Sequence, residues 1–323
     1  INDLGHSKTK MIIILNDNEM SIDKNVGGLS KHLSKLRIST GYISAKQTTE
    51  SFLRKLGFVG RGLIKMILAI KDFFRFLLYR KKPSMFEDLG LNYYGPIDGH
   101  NMDDLIKAFE AAKDIRGPVL IHVLTQKGRG YEPAEINPSD YHGVGPFDIN
   151  TGVTTSKNSY TTVFANTITE LAVKNPKIVA ISAAMTLGTG LENYQMKFPS
   201  RFFDCGIAEE HSVTMAGGLA VSGFIPVVAI YSSFLQRAYD EMITDCCFMN
   251  NHVVFAIDRS GFVGNDGHTH HGLLDISYLN SMVNMTVFSP RDYQDLSRCL
   301  KYAIENVKGP VAVRYPRGAS PFE

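Results

Sequence analysis

The densest chemistry in the sequence is the run Asp258-Arg259-Ser260-Gly261-Phe262-Val263-Gly264-Asn265-Asp266-Gly267-His268-Thr269-His270-His271-Gly272. Its three histidines, two aspartates and four glycines follow the apolar stretch HVVFAI. Glycines let a loop close around a small substrate, and imidazoles exchange protons near neutral pH, so the run reads as a proton-handling loop. A His-x-His pair with a third ligand held elsewhere would also suit zinc, so His268, His270 and His271 admit a metallohydrolase reading. Further on, Arg314-Tyr315-Pro316-Arg317-Gly318 ends an apolar stretch with two guanidinium groups. Such a pair is a natural carboxylate or phosphate clamp, and equally an ordinary solvated strand end.

Four more clusters sit beside apolar stretches. Asn16-Asp17-Asn18-Glu19-Met20 offers amide, carboxylate and carbonyl oxygens, the hard ligands that magnesium takes, or else a plain Asn/Asp turn. Thr125-Gln126-Lys127-Gly128-Arg129-Gly130 sets two cations among glycines, which fits an anion, although basic turns after strands are common. Gly206-Ile207-Ala208-Glu209-Glu210-His211 precedes the small-residue stretch SVTMAGGLAVSG. Its acids are either partners of a helix dipole or a buried carboxylate acting on a ligand, and spacing does not separate the two. Tyr231-Ser232-Ser233-Phe234-Leu235-Gln236-Arg237 combines a ring, hydroxyls and a cation, which could wall a pocket or cap a helix.

These clusters need elements to hold them. Apolar runs predict strands at Met11–Leu15, Val119–Leu124, Lys177–Ile181, Ile225–Ile230, His252–Ile257, Met285–Phe288 and Val311–Arg314. Helical patterns lie between them at Asn101–Ile115, Tyr160–Lys174, Glu209–Ser222, Phe234–Asn250 and Arg291–Asn306. This alternation predicts an α/β architecture of parallel sheets flanked by helices, with ligands beyond the carboxyl ends of the strands. The stretch Glu132–Ser159 is rich in Pro, Gly, Asn, Asp and Ser and has no periodicity, so a linker is expected within it.

Composition narrows the function classes. With 323 residues, 44% hydrophobic and 20% charged, the chain has material for about two packed domains and is not a disordered one. Lys plus Arg (34) nearly balances Asp plus Glu (32), so bulk charge argues against a nucleic-acid partner. Cys205, Cys246, Cys247 and Cys299 form no CxxC pair, which suits reduced thiols in a cytoplasmic protein. The run Gly62–Lys82 is broken by Lys65, Lys71, Asp72 and Arg75. It reads as an amphipathic helix packed on its own protein, with a membrane-surface anchor as the lesser reading. No signal peptide is visible; residue 1 is Ile, and a central-type strand follows only ten residues later, so the sequence reads as a fragment.

Taken in order, LNDNEMSI, GPIDGH, TQKGRGYEPAE, GIAEEHSVTMAGGLA, AIYSSFLQRAYD, AIDRSGFVGNDGHTHHG and VRYPRG resemble the 1-deoxy-D-xylulose-5-phosphate synthase family of thiamine-diphosphate enzymes, within the transketolase superfamily. The resemblance runs along essentially the whole chain. It implies a thiamine-diphosphate-binding fold with three parts: residues 1–145 as the end of a pyrophosphate-binding domain, 146–157 as a linker, and 158–323 as a pyrimidine-binding domain. It implies thiamine diphosphate and Mg2+ as cofactors, pyruvate and D-glyceraldehyde 3-phosphate as substrates, and a cytoplasmic protein that is a homodimer when full length, without a nucleic-acid or membrane partner. By the same resemblance Asn18 and the Met20 carbonyl hold magnesium, Lys127 contacts the diphosphate, and Glu209 hydrogen-bonds the aminopyrimidine ring on which Phe234 stacks. His142 and His270 stand near the reacting carbon, and Tyr231, Arg237, Arg259, Asp266 and Arg317 bind substrate.

The chain departs from the family pattern at both ends. The family's GDG motif, expected upstream of LNDNEMSI, is absent, and with it the family's upstream active-site histidine, and no third domain follows VRYPRG. Low activity of the fragment alone is therefore expected. A transketolase or a 2-oxo-acid dehydrogenase component is the alternative within thiamine-diphosphate enzymes, because all of these need a glutamate such as Glu209.

Overall fold

A computed structural model describes residues 1–20, 27–38, 84–152 and 159–320. The Gly62–Lys82 run lies outside the described residues. The chain divides into two compact units: Ile1–Glu19 with Gly28–Lys127, and Met20–Gly27 with Gly128–Glu323.

The first unit holds a three-stranded parallel sheet in the order β1 (Ile12–Asp17), β3 (Val119–Leu124), β2 (Asn92–Asp98). The apolar run VLIHVL supplies the central strand, buried along nearly its whole length. β2 is a strand the apolar pattern did not predict, because Gly95-Pro96 interrupts it. A register shift between Tyr94 and Ile97 absorbs that interruption. Gly95 sits at φ 128°, and a Cβ there would come within 2.5 Å of the His122 carbonyl oxygen, so β2 can approach β3 only with glycine at this point. The helix Met102–Lys113 is capped by the Asn101 side chain, which accepts from Asp104 N–H, and packs Leu105 and Ala112 against Val119, Ile121 and Val123.

The second unit is built on six parallel strands in the order β5 (Phe202–Asp204), β4 (Ile178–Ser182), β6 (Ile225–Tyr231), β7 (Val254–Asp258), β9 (Val311–Arg314), β8 (Thr286–Phe288). Because side chains alternate along a strand, Val254 and Ala256 face one layer while Phe255 and Ile257 face the other. The helices Tyr160–Lys174 and Tyr293–Glu305 cover the first face, through Phe164, Ile168, Leu296 and Leu300. The helix Glu209–Val221 and the segment Met242–Cys247 cover the second. From β4 the chain goes to β5 on one side and then crosses to β6 on the other, so the strand order reverses between β4 and β6. A crevice at such a reversal, beyond the carboxyl ends, is where open α/β sheets bind ligands.

The region Phe234–Asn250, expected as one helix, is subdivided. Ser232–Leu235 and Tyr239–Glu241 are α-helical, Gln236–Ala238 is a 3-10 turn and Met242–Cys247 is π-helical. Gly217 permits the close packing here, since a Cβ would stand 2.9 Å from the Asp245 carbonyl oxygen. The stretch expected to contain a linker carries a short helix, Glu132–Ile136. Around it Tyr131, Tyr141 and Phe147 gather with ring centroids 5.3–6.0 Å apart, Tyr141 edge-on to the other two rings. Cys246 and Cys247 are buried free thiols, and burial pushes them up to about 12 and about 11.

Phe164 is fully buried and stacks on Tyr315 at 5.7 Å between centroids. Phe164→Ala should cost about 3–5 kcal/mol of stability, read as a lower denaturant midpoint at unchanged slope.

Candidate active site

Along the carboxyl edge of the six-stranded sheet, the loops after β4, β5, β6, β7 and β9 bring together side chains that lie far apart in sequence. After β5, Asp204 Oδ1 accepts the backbone N–H groups of Ala184 and Gly206, both at 2.9 Å, and so shapes the approach to the next helix. Glu209 opens that helix and is 3% exposed, whereas Glu210 is half-buried. Burial pushes the Glu209 carboxyl above its ordinary range, against the opposing pull of its own backbone hydrogen bond and the Arg237 cation. Arg237 donates from Nη1 in a short hydrogen bond to Glu209 Oε2, and its Nη2 stands 3.2 Å from Glu210 Oε1. The two readings of these acids thus separate. Glu209 is a buried carboxyl on a cation, and the half-exposed Glu210 is the ordinary first-turn acid.

After β6, the rings of Tyr231 and Phe234 stack at 5.5 Å and 20°, and His270 meets Phe234 edge-on at 5.2 Å. The Arg259 guanidinium lies over the other part of this wall, 4.1 Å from the Tyr231 ring centroid. Burial lifts the Tyr231 hydroxyl to about 12, so it stays protonated. A Cβ at Gly188 would collide with that hydroxyl, which gives this glycine a steric role.

Arg259 follows β7 in the left-handed region, at φ 59°. Its Nη1 donates to Asp258 Oδ2 and to the Gly188 carbonyl, both at 2.8 Å, and to Thr161 Oγ1 at 3.3 Å. Thr161 in turn donates to Asp258 Oδ2 at 2.8 Å. Arg259 Nε is buried without a hydrogen-bond partner and lies 3.8 Å from Asp266 Oδ2. The same Asp266 oxygen stands 3.0 Å from Arg317 Nε. A carboxylate oxygen between two guanidiniums marks a seat that a phosphate or carboxylate of a ligand can take. The pairing differs from the sequence reading of Arg314 with Arg317. Arg314 is tied to buried Asp275, Nε to Oδ2 at 2.9 Å and Nη2 to Oδ1 at 3.3 Å, so Arg259 is the partner of Arg317.

The three histidines of the long loop diverge. His270 Nδ1 is 3.0 Å from Thr269 Oγ1, while His271 Nδ1 accepts from Val263 N–H at 3.2 Å and its ring meets Phe262 edge-on. Among the described residues no group of three His, Cys, Asp or Glu could hold a metal, which gives the metallohydrolase reading no ligand set there. Nor is any described helix long and apolar enough to cross a membrane.

The remaining candidates lie elsewhere. In the first unit Asn18 and Lys127 are half-buried on the turns after β1 and β3, which are adjacent because these strands pair in register up to Asp17 and Leu124. Met20 and His142 belong to the second unit, His142 exposed in the turns after the Glu132–Ile136 helix. Sequence reasoning missed Thr161, Gly188 and Asp258 as supports of Arg259. Asp258 had one visible signal, its place at a strand end beside an arginine.

Residues 156–322 match the family described as transketolase, pyrimidine binding domain, and residues 1–125 match that described as 1-deoxy-D-xylulose-5-phosphate synthase. The first match spans more than half of the chain, and the chain belongs to the transketolase pyrimidine-binding family. It is 51% identical over 320 residues to a protein of Clostridium kluyveri (strain NBRC 12016), covering 98% of this chain and 51% of the relative. It is 52% identical over 322 residues to one of Natranaerobius thermophilus, again covering 98% of this chain and 51% of the relative. Both relatives are named 1-deoxy-D-xylulose-5-phosphate synthase. The chain spans about half the length of the curated relatives it matches. A solved structure described as a split-gene transketolase, inactive beta4 tetramer, matches with a TM-score of 0.46 at 30% identity, over 51% of this chain and 54% of that one.

A carboxyl whose folded value is raised favours the fold while protonated, and that contribution is lost as pH rises through the folded value. Glu209→Gln lacks this loss. Its thermal midpoint should therefore climb relative to the native protein as pH rises from the ordinary glutamate value, about 4, upward. Paired thermal melts across that range check the sign.

Proposed function

We propose that the chain forms part of a 1-deoxy-D-xylulose-5-phosphate synthase, joining pyruvate, with loss of carbon dioxide, to D-glyceraldehyde 3-phosphate. The observation that carries this reading is a buried, upshifted carboxyl at Glu209 on the same sheet edge as the Arg259–Asp266–Arg317 seat. A single edge thus offers a proton-sharing group and an anion seat, the two demands of a heterocyclic cofactor and a phosphorylated acceptor.

The donor set fits thiamine diphosphate. Glu209 can hydrogen-bond a ring nitrogen, since its carboxyl is buried at the head of its helix and burial pushes it above the ordinary carboxyl range. Phe234 offers an aromatic face for the ring. Asn18 and the Met20 carbonyl offer hard oxygens for magnesium, and Lys127 a cation for the diphosphate. When bound, thiamine diphosphate supplies the electron sink for decarboxylation and carbon–carbon bond formation.

The chain's own residues do the rest. Arg259 and Arg317 grip the acceptor phosphate by charge-assisted hydrogen bonds as Asp266 gives way. Tyr231, protonated to about 12, can donate a hydrogen bond to the acceptor, and Arg237 holds Glu209 in place. His270, against Phe234, and His142 move protons at the reacting oxygens. Residues 1–145, 146–157 and 158–323 are assigned as the pyrophosphate-type part, a linker and the pyrimidine-type domain of a cytoplasmic homodimer.

The test is carbon dioxide release from pyruvate that depends on glyceraldehyde 3-phosphate, measured on the protein that carries these residues. Glu209→Gln should lower kcat by at least about 100-fold. Arg317→Met should raise the KM of the phosphorylated acceptor by about tenfold and leave that of pyruvate unchanged. Ketose-phosphate turnover without pyruvate decarboxylation would assign a transketolase instead.

A further inference from the structure

His122 is out of place by composition. It stands in the middle of the apolar run VLIHVL, is fully buried, and belongs to none of the clusters that carry chemistry. Burying an imidazole is costly unless its nitrogens are satisfied. Here both are. Nε2 lies 3.0 Å from Asp17 Oδ2 on β1, and Nδ1 lies 2.7 Å from the Tyr93 hydroxyl on β2. One side chain on the central strand therefore ties both flanking strands.

The tie has a direction. Asp17 Oδ2, as a carboxylate oxygen, accepts from Nε2, and with that hydrogen on Nε2 the neutral ring offers Nδ1 as an acceptor to the Tyr93 hydroxyl. Tyr93 is itself fixed by parallel stacking on buried Phe86, at 5.8 Å and 3°. Asp17, 4% exposed, has its carboxylate orientation set by this contact, and uses its other oxygen on the turn: Oδ1 accepts the Glu19 N–H at 3.1 Å. Glu19 adopts φ 63°, a strained region for a residue with a side chain, so the turn needs such an anchor. Asn18 lies between the two residues that make this bond. From the next strand Thr125 fixes the turn's entry, donating from Oγ1 to Asn16 Oδ1 at 2.6 Å and from N–H to the Asp17 carbonyl at 3.0 Å.

We propose that His122 is a positioning residue for the magnesium-binding turn, orienting Asp17 so that Asn18 is presented in a ready conformation. The inference rests on the reading of Asn18 as a magnesium ligand. Outer partners of metal ligands are worth about 10–100-fold in metal affinity, so loss of this one is large enough to measure.

The experiment compares the native protein with His122→Leu and His122→Gln by hydrogen exchange and by the Mg2+ concentration that half-saturates retention of thiamine diphosphate. His122→Leu should speed exchange of the Glu19 amide by about tenfold or more, leave the Met102–Lys113 helix unchanged, and raise the Mg2+ midpoint by about tenfold. His122→Gln keeps an N–H for Asp17 and should restore both readouts to within about threefold. Exchange that accelerates equally in the turn and in that helix would make His122 a core residue only, and would overturn the proposal. So would an unchanged Glu19 amide or an unchanged Mg2+ midpoint in His122→Leu. If the native protein shows no magnesium-dependent retention, the cofactor reading itself fails, and the metal role of the turn fails with it. A turn loosened without that dependence would then separate the two failures.

Discussion

The ion pair between Asp258 and Arg259 is the constraint around which the candidate site is arranged. Asp258 is completely buried, and a lone carboxylate there would be very unfavourable. Its oxygens are satisfied by the Arg259 guanidinium, the Arg259 backbone N–H and the Thr161 hydroxyl. Burial works against the Arg259 charge, yet Asp258, Tyr231 and Asp266 together more than restore it, so the guanidinium stays charged. Fixed at Nη1, Arg259 has Nε left to turn toward Asp266 and its planar face to cover Tyr231. Tyr231 then stacks on Phe234, and Phe234 meets His270 edge-on. Orientation passes outward through rigid groups, from a buried charge to the rings that would face a ligand.

A second effect follows from topology. All six strands of the larger sheet run in one direction, so every loop after a strand emerges at the same edge. Residues as far apart as Thr161, Arg237 and Arg317 share that edge without a special long-range device. The first unit applies the same rule on a smaller scale, where β1 and β3 lie side by side and their following turns carry Asn18 and Lys127. In both units the central strand is almost wholly apolar, and chemistry begins in the residues that follow it.

How far this was legible in the sequence depended on the kind of signal. Val119–Leu124 and Tyr160–Lys174 were readable to the residue, because one is a continuous apolar run and the other a capped helix with strong turn-by-turn burial. β2 was hidden by Gly95-Pro96, and β5 is only three residues long. The mixed helical turns between Ser232 and Cys247 were not separable, since an apolar period does not distinguish α from π turns over a few residues. For the site, residue types beside apolar stretches marked the clusters that hold Glu209, Tyr231, Arg259 and Arg317, and the family resemblance singled these residues out. Which partner each takes was not visible. Arg314 looked like Arg317 in sequence and differs only because Asp275, 39 residues away, occupies it. Gly188 and Thr161 carry no chemical signal until the fold places them against Tyr231 and Asp258.

The Asp266 carboxylate described between Arg259 and Arg317 has a thermodynamic consequence. With Asp258 also present, two guanidiniums face two carboxylates, so the cluster carries no net charge before any ligand arrives. An anion entering this seat does not simply neutralise a positive patch; it competes with an internal anion already tethered to the loop. Binding there is an exchange of one counterion for another, and long-range attraction contributes little to it. Discrimination then falls to the difference between a carboxylate with one oxygen in reach and a phosphate with three.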